Sequence, residues 1–207
     1  MPQPRSVKID ADERGGWSSD RPRSGPARPA DISTRCRVLR PTDRMRYSPG
    51  SLLIVLSPSA PERDRFVDRV ISERGIVFSA GRVRELLAGR VSDDEMDARA
   101  NELLTAAVRK RIEASDTVVL PIEGLDPAVR EPFVRMAATL RRPRHVILLD
   151  TLPADADDDA RATLNELRKA LDAGDLGAEG FQTAMRLGGD TISELKGIVF
   201  APPPAED

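Results

Sequence analysis

The sequence predicts an α/β fold with a doubly wound, five-stranded parallel sheet. From Ser48 onward, short apolar runs alternate with longer segments of helical periodicity. The runs are almost continuously apolar, which is typical of parallel strands that are buried on both faces. Hydrophobic residues make up 40% and charged residues 32% of the 207 residues, which is ordinary for a globular domain. We therefore predict one α/β domain over residues 48–203, preceded by an N-terminal arm (1–47) and followed by a short tail (204–207).

The elements of this domain follow from the apolar pattern and from capping signals. We predict strands at residues 51–57, 75–79, 117–124, 145–151 and 197–201. We predict helices at residues 61–73, 83–89, 92–115, 126–142 and 153–174. Ser92 is a suitable N-cap, Pro127 fits a first helical turn, and Gly174 is a suitable stop.

The N-terminal arm has a different composition from the rest of the chain. Residues 1–47 are rich in Pro, Gly, Ser, Arg and Asp and show little apolar periodicity. Such a segment buries too little apolar surface to offset the entropy lost on ordering, so we expect it to be disordered. It is mildly basic, and two interpretations stay open: a solvated tail, or an arm that contacts nucleic acid or an acidic partner.

Charge and cysteine content exclude several classes of protein. A net charge of −2 gives no overall electrostatic reason to bind nucleic acid. No apolar run approaches the roughly 20 residues of a membrane span, so no membrane partner is expected. Cys36 is the single cysteine, which rules out an internal disulfide and fits a reducing cytoplasm. The strong preference for arginine over lysine is typical of a GC-rich bacterial or phage genome.

The loop after the first strand has the position of a phosphate-binding loop but a different chemistry. A loop of the form G-x-x-x-x-G-K-[ST] surrounds phosphate with backbone N–H groups, a lysine and a magnesium-binding hydroxyl. Here Pro61 has no N–H to donate and Glu62 adds a carboxylate, while Arg63 replaces the lysine and Asp64 replaces the hydroxyl. Two hypotheses stay open: a strand–turn–helix junction without ligand, or an atypical site. In the atypical site Arg63 grips phosphate and Asp64 binds magnesium.

The order of elements over about residues 50–200 resembles the polynucleotide-kinase-like group of P-loop kinases. The segment "SPSAPERDRF" keeps Pro58, Ser59 and Phe66 of the family loop G-P-S-G-S-G-K-S-T-F. The resemblance implies that the first loop is a degenerate phosphate loop of the Walker A type. Its vestigial nucleotide-binding candidates are Ser57, Ser59, Arg63 and Asp64.

Two further family motifs are only partly present. "FSAGRVRELLAG" keeps Arg84 of the motif S-S-D-x-x-R, but Gly81 occupies the position of the catalytic aspartate. In "LPIEGLDPAVR", Pro121 and Gly124 replace the acid and the amide of D-A-T-N, whereas Arg130 is retained. By resemblance, Arg161 corresponds to a lid arginine. The candidates for anion or nucleic-acid contact are therefore Arg84, Arg130 and Arg161.

The resemblance leaves two possible functions. The first is a non-catalytic pseudokinase that binds a protein or nucleic-acid partner and needs no cofactor, because the residues that carry the chemistry are lost. The alternative is an atypical ATP-dependent kinase of polynucleotide type, or an ATPase, that uses Mg-ATP through Arg63 and Asp64. Glu123, just past the third strand, is a second metal candidate beside Asp64. No catalytic residue is assigned in either case.

Overall fold

The computed structural model describes residues 30–152 and 156–203. By its internal contacts the chain divides into Met1–Asp31 and Ile32–Asp207, and the second unit contains every helix and strand named below. Most of the predicted disordered arm (1–29) and the tail (204–207) lie outside the described residues.

Seven strands and six α-helices occur in the described part of the chain. The strands are β1 (Arg37–Leu39), β2 (Arg44–Tyr47), β3 (Leu52–Leu56), β4 (Val118–Pro121), β5 (Arg144–Leu149), β6 (Thr183–Leu187) and β7 (Gly197–Phe200). The helices are α1 (Ala60–Val70), α2 (Ala80–Leu87), α3 (Asp93–Glu113), α4 (Pro127–Thr139), α5 (Asp158–Ala173) and α6 (Asp190–Glu194).

Five strands form one parallel sheet in the order β1-β6-β5-β3-β4, which confirms the predicted fold class. Alternate residues of each strand point to opposite faces. Leu52, Ile54 and Leu56 pack in the cluster that also contains the apolar residues of α3, α4 and α5. Leu53 and Val55 pack on the other face with α1 and with residues of β2 and β7. Helices therefore cover both faces of the sheet, as in a doubly wound fold.

Two predicted strands differ from the observed ones. Residues 75–79 do not form a strand: a 3-10 turn at Arg74–Ile76 is followed by one isolated bridge from Val77 to Val119. The segment at residues 197–201 does form a strand, β7, but it pairs with β2 in a separate two-stranded sheet. The five-stranded sheet is completed instead by β1 and β6.

The predicted disorder of residues 1–47 is wrong for the stretch that begins at Ile32. β1 pairs in parallel with β6, and the Thr34 N–H donates to the Gly177 carbonyl at 2.9 Å. Met45 and Tyr47 of β2 are buried in the α1-side cluster. The strands that pair with this stretch lie more than 130 residues further along the chain. The composition of the stretch itself therefore gives no sign that it is ordered. The folded domain therefore begins before residue 48.

No helix among the described residues is both long enough and apolar enough to cross a membrane.

His145 is buried at the sheet edge opposite the carboxyl ends of the strands. Its Nδ1 lies 2.8 Å from Thr183 Oγ1, its Nε2 lies 3.3 Å from Ser51 Oγ, and its ring centroid is 4.5 Å from that of Tyr47. Burial, and then the positive charge of Arg144, lowers the pKa of His145 from 6.5 to about 4. The folded protein therefore holds this imidazole neutral.

We expect stability to fall as the pH decreases from 6.5 to 4, because the unfolded chain then protonates His145 and the folded chain resists it. At pH 4 this one group accounts for a loss of about 3 kcal/mol in the free energy of unfolding. Urea denaturation at several pH values measures the effect. The free energy of unfolding of His145→Gln should fall less steeply with decreasing pH. Glutamine takes up no proton, whereas the carboxylates titrate equally in both proteins. Parallel curves for the two proteins would contradict this assignment.

Candidate functional site

The carboxyl ends of the parallel strands mark the candidate site. β3 pairs with β4 on one side and with β5 on the other. The order of the strands along the chain therefore changes direction between the neighbouring strands β3 and β5. Ligands of open α/β sheets bind at such a switch point. The loops that meet there follow β3 and β5, and Ser57 Oγ lies 3.3 Å from Thr151 Oγ1 between them.

The loop after β3 is short and its polar groups bond to each other. β3 ends at Leu56 and α1 begins at Ala60, which leaves three residues between them. The Ser59 N–H donates to Ser57 Oγ at 3.0 Å. Pro58 and Pro61 have no N–H to offer. The structure thus brings the predicted residues Ser57 and Ser59 together, with few free amides to face an anion.

Arg63 points into the protein rather than toward the loop. It is only 2% exposed, and its Nη1 donates to the Ile122 carbonyl at 2.6 Å. Its Nε and Nη2 lie 2.9 and 2.8 Å from Asp64 Oδ1, and the Asp64 side chain is 56% exposed. Arg63 therefore links α1 to the segment that follows β4.

Glu123 and Arg84 form the second polar group at this edge. Arg84 binds both carboxylate oxygens of Glu123 at 2.8 and 2.9 Å, and its Nε donates to Asp97 at 2.7 Å. The hydrogen bonds from Arg84 are the main cause that holds the pKa of Glu123 below its usual value. Reciprocally, the hydrogen bonds to Glu123 and then Asp97 raise the pKa of Arg84.

The metal hypothesis for Asp64 and Glu123 stays a prediction. Each carboxylate accepts hydrogen bonds from an arginine, Asp64 from Arg63 and Glu123 from Arg84. Within residues 30–152 and 156–203, no three His, Cys, Asp or Glu side chains are grouped so that they could hold a metal ion.

Arg130 and Arg161 lie in different environments. Arg130 is 1% exposed, binds both oxygens of Glu179 at 2.6 and 2.7 Å, and donates to the Leu125 carbonyl at 2.6 Å. Arg161 is exposed on the first turn of α5. Of the three arginines predicted to contact an anion, Arg84 and Arg130 are therefore paired with carboxylates, whereas Arg161 is exposed on a different helix.

Two cavities open near the carboxyl edge. One, of about 440 Å³, lies between α1, the end of β5 and α6. The other, of about 470 Å³, lies between α2, α3, α4 and the end of β4, and Arg84 and Glu123 line it. Sequence reasoning missed Thr151 and Glu179. Thr151 carries a usable signal, since it is a polar residue just past a buried strand, whereas nothing local marks Glu179 as a partner of Arg130.

The comparisons with known proteins find likenesses among solved structures. No family model matches the sequence, and no curated protein matches it. Among solved structures, the chain is similar to the tunicamycin resistance protein of Deinococcus radiodurans. The identity is 17% and the TM-score 0.42, over 74% of this chain and 99% of that chain. What this chain binds therefore has to be inferred from its own residues.

Proposed function

We propose that this chain is a P-loop-kinase-like domain with degenerate phosphate and catalytic loops, which works without catalysis by binding a protein or nucleic-acid partner. The observation that carries the proposal is the burial of Arg63. This arginine stands where a phosphate loop has its lysine, yet its guanidinium bonds to the Ile122 carbonyl and to Asp64. A cation held in this way is not free to reach the outer phosphates of a nucleotide.

The backbone of the loop supports the same conclusion. A phosphate nest needs several N–H groups that converge on one anion. Pro61 supplies none where the family loop has a residue with an N–H, the Ser59 N–H is taken by Ser57, and Glu62 adds a carboxylate. Each lost hydrogen bond to a charged group costs about 1.5–3 kcal/mol. Two such losses weaken binding of a triphosphate by roughly a thousandfold.

The other loops lack the groups that phosphoryl transfer requires. Catalysis of this kind needs a residue that orients the attacking hydroxyl and a carboxylate free to hold magnesium. Gly81 offers no side chain at the predicted base position, and Glu123 is bound by Arg84. The alternative, an atypical kinase or ATPase that uses Mg-ATP, requires Arg63 to leave the Ile122 carbonyl and Asp64.

A titration with Mg-ATP tests the proposal. We expect the melting temperature to stay within about 1 °C up to millimolar Mg-ATP, with magnesium alone as the control. A nucleotide at a hundred times its Kd would instead stabilise by about 2.7 kcal/mol, or roughly 5–10 °C for a domain of this size. Such a rise, together with shifted amide resonances at residues 57–64, would overturn the proposal.

A further inference from the structure

The cavity of about 440 Å³ has the size and lining of a small-molecule site. Its volume lies within the range of ordinary ligand pockets. Phe66 of α1, Leu149 at the end of β5 and Ile192 of α6 form its apolar wall. Two sides of the cavity are held in place by Arg69, which donates to the Leu195 carbonyl at 2.6 Å and to the Ile192 carbonyl.

Glu62 is the unexplained polar group in this cavity. It lines the space from the first turn of α1, and its Oε2 is buried without a hydrogen-bond partner. A buried carboxylate oxygen without a donor is costly, so the Glu62 carboxylate gains by turning into the cavity toward a ligand that brings one.

The cations of the same wall are arranged so that Glu62 is left without compensation. The guanidinium of Arg69 donates to the carbonyls of Ile192 and Leu195, and its Cζ lies 5.6 Å from the Phe66 ring centroid. Arg69 therefore does not pair with Glu62. Arg65 also lines the cavity and is exposed, and in the described part of the chain it forms no ion pair with Glu62. One carboxylate and one exposed guanidinium therefore face the same apolar space.

From these observations we infer that the cavity binds a small zwitterion with an apolar side chain, such as a large hydrophobic amino acid. The ammonium group donates to Glu62, the carboxylate pairs with Arg65, and the side chain contacts Phe66 and Ile192. Both polar contacts are charge-assisted hydrogen bonds, which are the stronger class. The apolar wall adds affinity in proportion to the area that the ligand buries.

Calorimetry with three matched probes tests this inference. L-phenylalanine carries both charges, 2-phenylethylamine only the ammonium group, and 3-phenylpropionate only the carboxylate. We expect phenylalanine to bind with a Kd of about 1 mM or lower, and at least about tenfold tighter than either single-charge probe. Equal binding of the three probes, or no binding of phenylalanine, would overturn the inference.

Variants assign each charge to its residue. Glu62→Gln should remove the advantage of phenylalanine over 3-phenylpropionate, and Arg65→Gln should remove its advantage over 2-phenylethylamine. Ser193→Trp fills the cavity from its exposed side and should abolish binding of all three. Glu73→Gln, which changes an exposed carboxylate outside the cavity, should bind as the wild type does.

Circular dichroism confirms that each variant is folded. Wild-type affinity in both Glu62→Gln and Arg65→Gln would contradict the site. This inference goes beyond the proposed function and can fail separately from it. The two sites share Glu62, but Mg-ATP and phenylalanine are separate probes, so either one can bind while the other does not.

Discussion

Replacing Arg63 with alanine is expected to lower the free energy of unfolding by about 3–4 kcal/mol. The side chain is almost fully buried, so truncation leaves a void, and the Ile122 carbonyl loses the donor that now lies 2.6 Å away. The ion pair with Asp64 adds little, because the Asp64 side chain is 56% exposed and water screens it. Urea denaturation at neutral pH measures the change.

Two comparison variants separate this structural role from a role in binding phosphate. Arg65→Ala alters an exposed arginine on the same helix and should change stability by no more than about 0.5 kcal/mol. Arg63→Lys keeps the charge but replaces the planar guanidinium with a compact ammonium group. Its free energy of unfolding should therefore lie between those of the wild type and Arg63→Ala. A ligand-facing Arg63 would give the opposite pattern, with unchanged stability in Arg63→Ala and Mg-ATP binding that depends on the guanidinium.

The sequence predicts the strands whose signal is local. β3, β4 and β5 are buried at every position, and β3, β4 and the part of β5 from Val146 onward are continuous apolar runs. β6 is not such a run, because Thr183 and Arg186 interrupt its apolar residues, and its place in the sheet depends on β5 and β1 on either side. β1 is three residues long and is ordered by β6, so nothing within it could have revealed it.

The segment at residues 75–79 shows the converse error. Its apolar residues suggest a strand, but its pairing with the sheet is limited to one isolated bridge from Val77 to Val119, where the Phe78 N–H donates to the Val119 carbonyl at 2.9 Å. Gly75 and Ile76 belong to the 3-10 turn in the segment that connects α1 to this edge of the sheet. An apolar run indicates that its residues are buried. Whether they also pair as a strand depends on the geometry of the surrounding chain.

Sequence reasoning predicted that the loops after the first and third predicted strands lie at one edge of the sheet, and the loops after β3 and β4 do lie there, because these strands are parallel. It could not assign the direction of the arginines. Arg63 bonds to a carbonyl 59 residues away, and Arg130 bonds to a carboxylate 49 residues away. Pairings of this kind depend on the finished fold, and an arginine aimed at a ligand has the same local sequence as one aimed at the core.

Arg130→Ala is expected to cost about 3–5 kcal/mol, the second large effect. Arg130 is 1% exposed and holds both oxygens of Glu179 as well as the Leu125 carbonyl. Its loss leaves the carboxylate of Glu179, whose side chain is 28% exposed, without its cation. Because these contacts join α4 to the turn before β6, the substitution loosens the packing of that turn. Thermal and urea unfolding both measure the loss.

The matched control is Lys169→Ala, which breaks an ion pair whose two side chains are each 73% exposed and should change stability by no more than about 0.5 kcal/mol. A double variant, Arg130→Met with Glu179→Leu, removes both charges and should recover much of the stability lost in Arg130→Ala, since no buried charge is then left unpaired. If Arg130→Ala proved as harmless as Lys169→Ala, the guanidinium would have to be free at the surface, where it could serve the anion contact that the sequence alone suggests.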